Sequence, residues 1–318
     1  MRRLVRRIRP SAGADAERLL VWALSRSVPR HTLNALYNGL SLQQKSSIYR
    51  RFAKIFRKHA PPPISDQWHV DFHGRKIMIP LQKESLWLDW DTALSALGHE
   101  PEIKSTYEAL LGQFGSVRRV FDVGANYGVH SLLFLIHDVD VISFEPNPEC
   151  HWYYPRLERH NRVKFRLEPT ALGAIECRLN LCYPENESWL GTTDPEHAQA
   201  LSSSAELRQV QVPCISLDSY VKQSNLIPDL IKLDVEGSEF QILLGAQDTL
   251  QNFRPLVIFE CWNDRARDRI WRILAASNYV VAGLPLLSRT ELRPLEESTF
   301  HCCPGTNFAA LPKELLQH

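Results

Sequence analysis

From Val117 onward the chain alternates short apolar segments with helical ones, and this rhythm limits the fold more than any other feature. Residues 120–123, 139–144, 163–167, 229–234 and 256–259 are rich in Val, Ile, Leu and Phe and read as strands. Between them, residues 129–136, then Phe240, Leu243 and Leu244, and later Ile270, Ile273 and Leu274, fall at helical spacing. Strands that alternate with helices form βαβ units, whose parallel sheet is covered on both faces. The expected class is therefore α/β. Residues 279–282 and 307–311 are expected to close the sheet, as a hairpin. Residues 178–216 read as irregular, an insertion carrying Val210–Val212 as one further strand.

The segment in front reads differently. Residues 1–60 are expected to be helical, with Ser41 and Gln44 at the spacing of a capping box. Ile48, Tyr49, Phe52, Ile55 and Phe56 then form one apolar stripe, beside Arg50, Arg51, Lys54, Arg57 and Lys58. Pro61-Pro62-Pro63 ends that helix and makes a stiff linker. Residues 61–115 read as a lead-in, with a hairpin turning at His73-Gly74-Arg75 and a helix over 103–113. The organisation expected is thus a basic helical extension (1–60), a lead-in (61–115) and a main domain (116–318).

Charge divides the chain in the same way. Overall, 37 Lys and Arg nearly balance 36 Asp and Glu, yet residues 1–59 hold fourteen of the basic residues and only Asp15 and Glu17 as acids. A head of +12 precedes an acidic body, which points to an anionic partner for the head and away from a broad nucleic-acid face on the body. No apolar run approaches the ~20 residues of a spanning helix. Seven cysteines at scattered spacings, with no CxxC pair, read as free thiols in a reducing compartment. A cytoplasmic location is expected.

The chemistry concentrates at Phe121-Asp122-Val123-Gly124-Ala125-Asn126-Tyr127-Gly128, between a strand and a helix. Glycines there permit a tight turn, and the following helix offers its positive end to an anion. Glu145 follows Gly124 by 21 residues, where an acid in a doubly wound sheet accepts hydrogen bonds from a ribose. The dinucleotide pattern GxGxxG and a Walker loop are both absent. Asp122 would repel a pyrophosphate and suits an ammonium. Ammonium, carboxylate and ribose together describe S-adenosylmethionine; the alternative is a purely structural βα turn.

Longer stretches carry a resemblance. FDVGANYG (121–128), SFEPNPE (143–149), TALG (170–173), ISLDSYV (215–221), IKLDVEGSEFQILLGA (231–246) and PLVIFE (255–260) stand in order across residues 107–312. The chain resembles the FkbM-type family of S-adenosylmethionine-dependent methyltransferases. The resemblance implies a class I methyltransferase sheet, Rossmann-like, mostly parallel with its last strand antiparallel. It implies S-adenosyl-L-methionine as cofactor, with Asp122, Gly124, Asn126 and Gly128 at its methionine end and Glu145 on its ribose. It also implies O-methylation of hydroxyls on saccharides or similar polyol natural products. Where the family carries a Ser-rich stretch, this chain has Gly191-Thr192-Thr193 and, further on, Ser202-Ser203-Ser204.

An alcohol nucleophile must lose its proton as it attacks, so a base within hydrogen-bond reach is required. Asp234, after the fourth strand, is the first candidate, as base or in cofactor positioning. Glu236 and His130 follow, with a packing histidine as the alternative for His130 and a helix-dipole role for Glu239. Glu260, Asn263 and Asp264 raise a Mg²⁺-assisted variant, although no ligand spacing requires a metal. The basic head either lies on an anionic membrane through residues 41–58 or packs its stripe on protein, and its five arginines before residue 14 also fit a transit peptide. An RNA methyltransferase gripped by the head, or a non-catalytic cofactor-binding scaffold, are the competing functions; no nucleic-acid partner is expected.

Overall fold

The computed structural model describes residues 12–59, 64–112, 117–185, 187–262, 264–288 and 292–316. The linker Pro61–Pro63 and the first arginines lie outside them. Two compact units result, Met1–Pro101 and Glu102–His318, so the hairpin shares a unit with the basic helices.

The first unit runs α1 (Ala12–Leu24), α2 (Ser27–Asn38), α3 (Leu42–Lys58), β1 (Asp66–Phe72), β2 (Arg75–Leu81) and α4 (Leu86–Gly98). The capping box forms: Gln44 N donates to Ser41 Oγ at 3.4 Å and Ser41 N to Gln44 Oε1 at 2.9 Å. His73 and Gly74 both take positive φ, the two-residue turn that matches strand twist, and Phe72 pairs Arg75. One face of the hairpin is buried through Trp68, Val70, Ile77 and Ile79. Trp90 of α4 packs on Trp68 at 5.2 Å between ring centroids and on Phe56 at 4.7 Å. Ile55 and Phe56 are therefore buried. The stripe of α3 packs on α4, in line with the second of the two readings offered for residues 41–58, packing on protein. Arg30 and Asn34 tie α2 to β1: Trp68 Nε1 donates to Asn34 Oδ1 at 3.2 Å, and Arg30 pairs with Asp66.

The second unit opens with α5 (Pro101–Gly112) and builds a seven-stranded sheet. Its strands are β3 (Arg119–Val123), β4 (Asp140–Phe144), β5 (Arg166–Glu168), β9 (Leu230–Leu233), β10 (Leu256–Glu260), β11 (Tyr279–Gly283) and β12 (Asn307–Pro312). The order across the sheet is β11-β12-β10-β9-β3-β4-β5. All neighbours are parallel except β12, which runs antiparallel to β10 and β11. This is the class I sheet that the resemblance implies, closed as expected by the antiparallel pair β11 and β12, although α14 stands between them in place of a tight hairpin turn. Every residue of β9 and β10 is buried, as a sheet covered on both faces requires. The third strand is an edge strand of three residues, displaced from the expected 163–167.

Residues 178–216 correct the sequence reading. They are not irregular: β7 (Cys177–Pro184) and β8 (Leu207–Ser216), which contains the strand expected at Val210–Val212, join β6 (Ala171–Gly173) just before them in a second sheet of order β6-β8-β7. Alternate residues of β7, Leu181 and Tyr183 among them, face a small core with Val212 and Cys214. The helices between these strands are α6 (Val129–Leu135), α7 (Pro148–His151), α8 (Tyr154–Asn161), α9 (Pro195–Ser202), α10 (Leu217–Ser224), α11 (Glu239–Leu244), α12 (Gln247–Asn252), α13 (Asp264–Ala276) and α14 (Glu297–Cys302).

Candidate functional site

The chain leaves β3 toward β4 on one side and later returns to β9 on the other. The carboxyl edge of β3 is therefore the point where strand order reverses, where open α/β sheets bind ligands. Gly124 N and Ala125 N donate to Phe144 O at 3.0 and 3.1 Å, which folds the turn onto the end of β4. Gly124 has φ +78°, and a Cβ there would come within 1.8 Å of the Asp234 carbonyl oxygen. Its requirement for glycine comes from the neighbouring strand end, not from ligand approach alone. Asn126 takes φ 51°, and Gly128, at φ 81°, caps α6.

Glu145 is buried at the end of β4. Its two oxygens accept from the backbone N–H of Asn126 and of Asn147, each at 2.7 Å. Burial pushes its carboxyl up to about 7, against the pull of those two hydrogen bonds and with a further push from Asp122 and Asp234. Asp122 lies within β3, where the sequence placed a strand over 120–123, and is 1% exposed. Its Oδ2 accepts from Ser131 Oγ at 2.6 Å; its Oδ1 is buried without a hydrogen bond and stands 3.8 Å from Lys232 Nζ.

Past β9, Asp234 Oδ2 accepts from Lys232 Nζ at 2.9 Å. Asp234, Glu236 and Glu260 each bring a carboxylate oxygen to within 4.8 Å of the others. Those oxygens are the hard donors that could hold Mg²⁺; Asn263 and the Asp264 side chain lie outside the described residues. Glu236 takes φ 52°, its carbonyl accepts from Thr192 Oγ1 at 2.7 Å, and its Oε2 lies 3.8 Å from His197 Nε2. Thr193 Oγ1 meets Ser238 Oγ at 2.9 Å, so the Gly191-Thr192-Thr193 stretch borders this loop. Ser202 instead ends α9.

Glu239 stands in the first turn of α11, as expected, and is buried there: it is 3% exposed, and its Oε1 accepts from Val235 N and Gly237 N, both at 3.3 Å. Burial raises its carboxyl to about 7. His130 is not in the carboxylate group; its Nδ1 lies 3.1 Å from the Tyr107 hydroxyl, with the rings edge to face.

A model of the FkbM methyltransferase domain matches residues 122–281, which span the turn, both acidic edges and six of the seven main strands at least in part. The chain belongs to the FkbM methyltransferase family. The family implies S-adenosylmethionine as methyl donor. Among curated proteins, the hexuronic acid methyltransferase AglP of Haloferax volcanii is 25% identical over 141 residues, 44% of this chain and 54% of that protein. This FkbM-family chain thus spans about half the length of that relative. Among solved structures, methyltransferase FkbM from Methylobacillus flagellatus KT is 15% identical with a TM-score of 0.40, covering 71% of this chain and 54% of that one. A SAM-dependent methyltransferase from Agrobacterium tumefaciens is 9% identical with a TM-score of 0.39, covering 80% and 72% respectively.

Lys232 is the site residue that sequence reasoning missed in this FkbM-family chain. A signal was present: a single lysine inside the apolar strand Leu230-Ile231-Lys232-Leu233, two residues before Asp234 and so on the same face.

Proposed function

We propose that this chain transfers the methyl group of S-adenosylmethionine to a hydroxyl of a saccharide or similar polyol. The observation that carries the reading is the meeting of Asp234, Glu236 and Glu260 at the ends of β9 and β10, with Asp234 against the Gly124 turn. The hexuronic acid methyltransferase relative supports a glycan acceptor.

When bound, the cofactor supplies an electrophilic methyl on a sulfonium. The residues present fit it. Asp122 Oδ1 is buried without a hydrogen bond, with Lys232 Nζ 3.8 Å away, and so keeps acceptor capacity for an ammonium beside that lysine. Glu145 keeps lone pairs for two hydroxyls after its two backbone bonds. In this reading Asp122, Gly124, Asn126 and Gly128 line the methionine end, and Glu145 takes the ribose. Asp234 is the base, or the group that orders the nucleophile. Lys232 holds one of its oxygens, and the other carries no hydrogen bond among the described residues. Glu236 is the second candidate. His130, engaged by Tyr107, is the third. A cluster of three carboxylates would repel a phosphate backbone, which disfavours RNA as acceptor.

The test is incubation with S-adenosylmethionine and either a glycan extract or RNA. Glycan products heavier by one methyl group are expected; methylated RNA with unchanged glycans would overturn the reading. Calorimetry is expected to show binding of S-adenosylmethionine and none of NAD, with Glu145→Ala weaker by ~1.5–3 kcal/mol.

A further inference from the structure

Four large apolar side chains stand in solvent on the first two helices: Leu19 (63% exposed), Trp22 (51%), Val28 (72%) and Leu36 (65%). Leu19 and Trp22 are one turn apart on α1 and share a face. Val28 lies in the first turn of α2. They are not remnants of an unfinished core, because Val21, Leu24, Tyr37, Phe56, Trp68 and Trp90 already fill the interior of this unit. Arg18 and Arg26 are exposed beside them, and the Arg26 guanidinium lies 4.1 Å over the Trp22 ring.

Charge says what covers this face. Residues 1–59 carry fourteen Lys and Arg against two acids: Glu17 is already paired with Lys58 at 2.7 Å and His59 at 2.8 Å, and Asp15 is exposed one turn before Leu19 on α1, beside Arg18. Apolar side chains and a tryptophan flanked by arginine match the boundary between acyl chains and phosphates, where rings and aliphatic groups sink and guanidinium groups stay with the headgroups. A protein surface that is apolar and lacks acids would leave the basic excess unanswered. RNA would answer the charge and leave the aliphatic side chains in water. No described helix is long and apolar enough to cross a membrane, so the contact is lateral.

We propose that the α1–α2 pair docks on an anionic lipid bilayer, with Leu19, Trp22 and Val28 at the acyl boundary and Arg18 and Arg26 on lipid phosphates. The face lies outside the carboxylate site, so the inference stands or falls apart from the acceptor reading.

Flotation of the full chain with vesicles tests it. The chain is expected to float with phosphatidylcholine vesicles that contain phosphatidylglycerol, to float poorly with phosphatidylcholine alone, and to be released by salt. Leu19→Ser with Trp22→Ser, and separately Arg18→Glu with Arg26→Glu, are each expected to lower the bound fraction roughly tenfold. Unchanged thermal melts confirm that the variants fold; if a double variant melts early, Trp22→Ser alone replaces it. Absence of flotation, flotation indifferent to these substitutions, tighter binding to RNA than to anionic vesicles, or a dimer that Leu19→Ser with Trp22→Ser dissolves would each overturn the proposal.

Discussion

Lys232 holds its ammonium 2.9 Å from Asp234 Oδ2, two residues further along the same chain edge. The same ammonium stands 3.8 Å from Oδ1 of Asp122, its register partner on β3. One buried cation is thus shared by acids from two adjacent strands, at the point where strand order reverses. Three nearby carboxyl groups, Glu236, Glu239 and Glu260, add negative charge to the same edge.

Removing that cation is expected to be costly. Lys232→Met fills similar space but leaves Asp122 buried without its counter-charge. A loss of ~3–5 kcal/mol is expected, the usual cost of breaking a buried pair from one side. Urea unfolding measures it. Adding Asp122→Asn should restore part of the loss, because the uncompensated charge is then gone. Strictly additive losses would show that the two residues are not coupled.

Gly124 answers to packing. A Cβ at this position meets the Asp234 carbonyl oxygen at 1.8 Å, and the φ of +78° is strained for any other residue. Gly124→Ala is therefore expected to part the ends of β3 and β9 and to lower the melting temperature, together with cofactor affinity. A variant with unchanged melting and a selective loss of cofactor binding would assign the glycine to ligand approach instead.

How much of this was legible beforehand follows from the range of each interaction. The strands β3, β4, β9 and β10 declare themselves because burial on both faces makes them continuous apolar runs. Glu145 is legible because its distance from Gly124 is set by one βαβ unit. The edge strand β5 is not: it carries Arg166 and Glu168, and the apolar Val163 and Phe165 before it drew the expected strand too early. β7 was missed because half of its residues are polar and it packs on a separate small core. Asp122 and Lys232 stand 110 residues apart, and only the strand register shows that they meet. Glu239 reads as a first-turn helix acid, but its burial shows only once the 235–237 loop is seen to fold over its carboxylate.

The buried acids give stability a distinctive pH dependence. Glu239 has its carboxyl raised from 4.5 to about 7, so between those values the folded chain binds more protons than the unfolded one. Its contribution is complete below 4.5 and is lost as pH rises through about 7. One oxygen, Oε1, accepts both backbone N–H groups, so an amide oxygen can replace it. Glu239→Gln is expected to match wild type at about pH 4 and to be more stable by about 1–3 kcal/mol at about pH 8. Denaturant midpoints at both pH values decide. Glu145 behaves differently, since both of its oxygens are engaged and Gln would lose one bond. Its carboxylate form is the better acceptor for ribose hydroxyls, so cofactor affinity is expected to rise as pH passes through about 7.

Truncation should fail at the boundary that the proline run suggests. Removing residues 1–60 strips α2 and α3 from a hairpin and helix whose Trp68 and Trp90 they bury. The shortened chain is expected to aggregate through that uncovered apolar face. Size-exclusion chromatography checks this, and a monodisperse 61–318 fragment with native melting would show that the hairpin stands without the helices.

The decisive substitution is Asp234→Asn, which keeps shape and removes charge. As the base, Asp234 should cost ~10²–10⁴ in rate when replaced, at saturating cofactor and with cofactor affinity within a few-fold of wild type. A rate close to wild type would move the proton to Glu236 or His130. A loss of cofactor affinity with the rate intact would assign Asp234 to positioning. Chelation belongs in the same experiment, because Asp234, Glu236 and Glu260 could also gather around a divalent cation. Lys232 already supplies a positive charge 2.9 Å from Asp234. Turnover of the wild-type chain is therefore expected to survive exhaustive chelation. Activity that falls on chelation and returns with Mg²⁺ would show that the ammonium is not enough, and that the three carboxylates act through a metal.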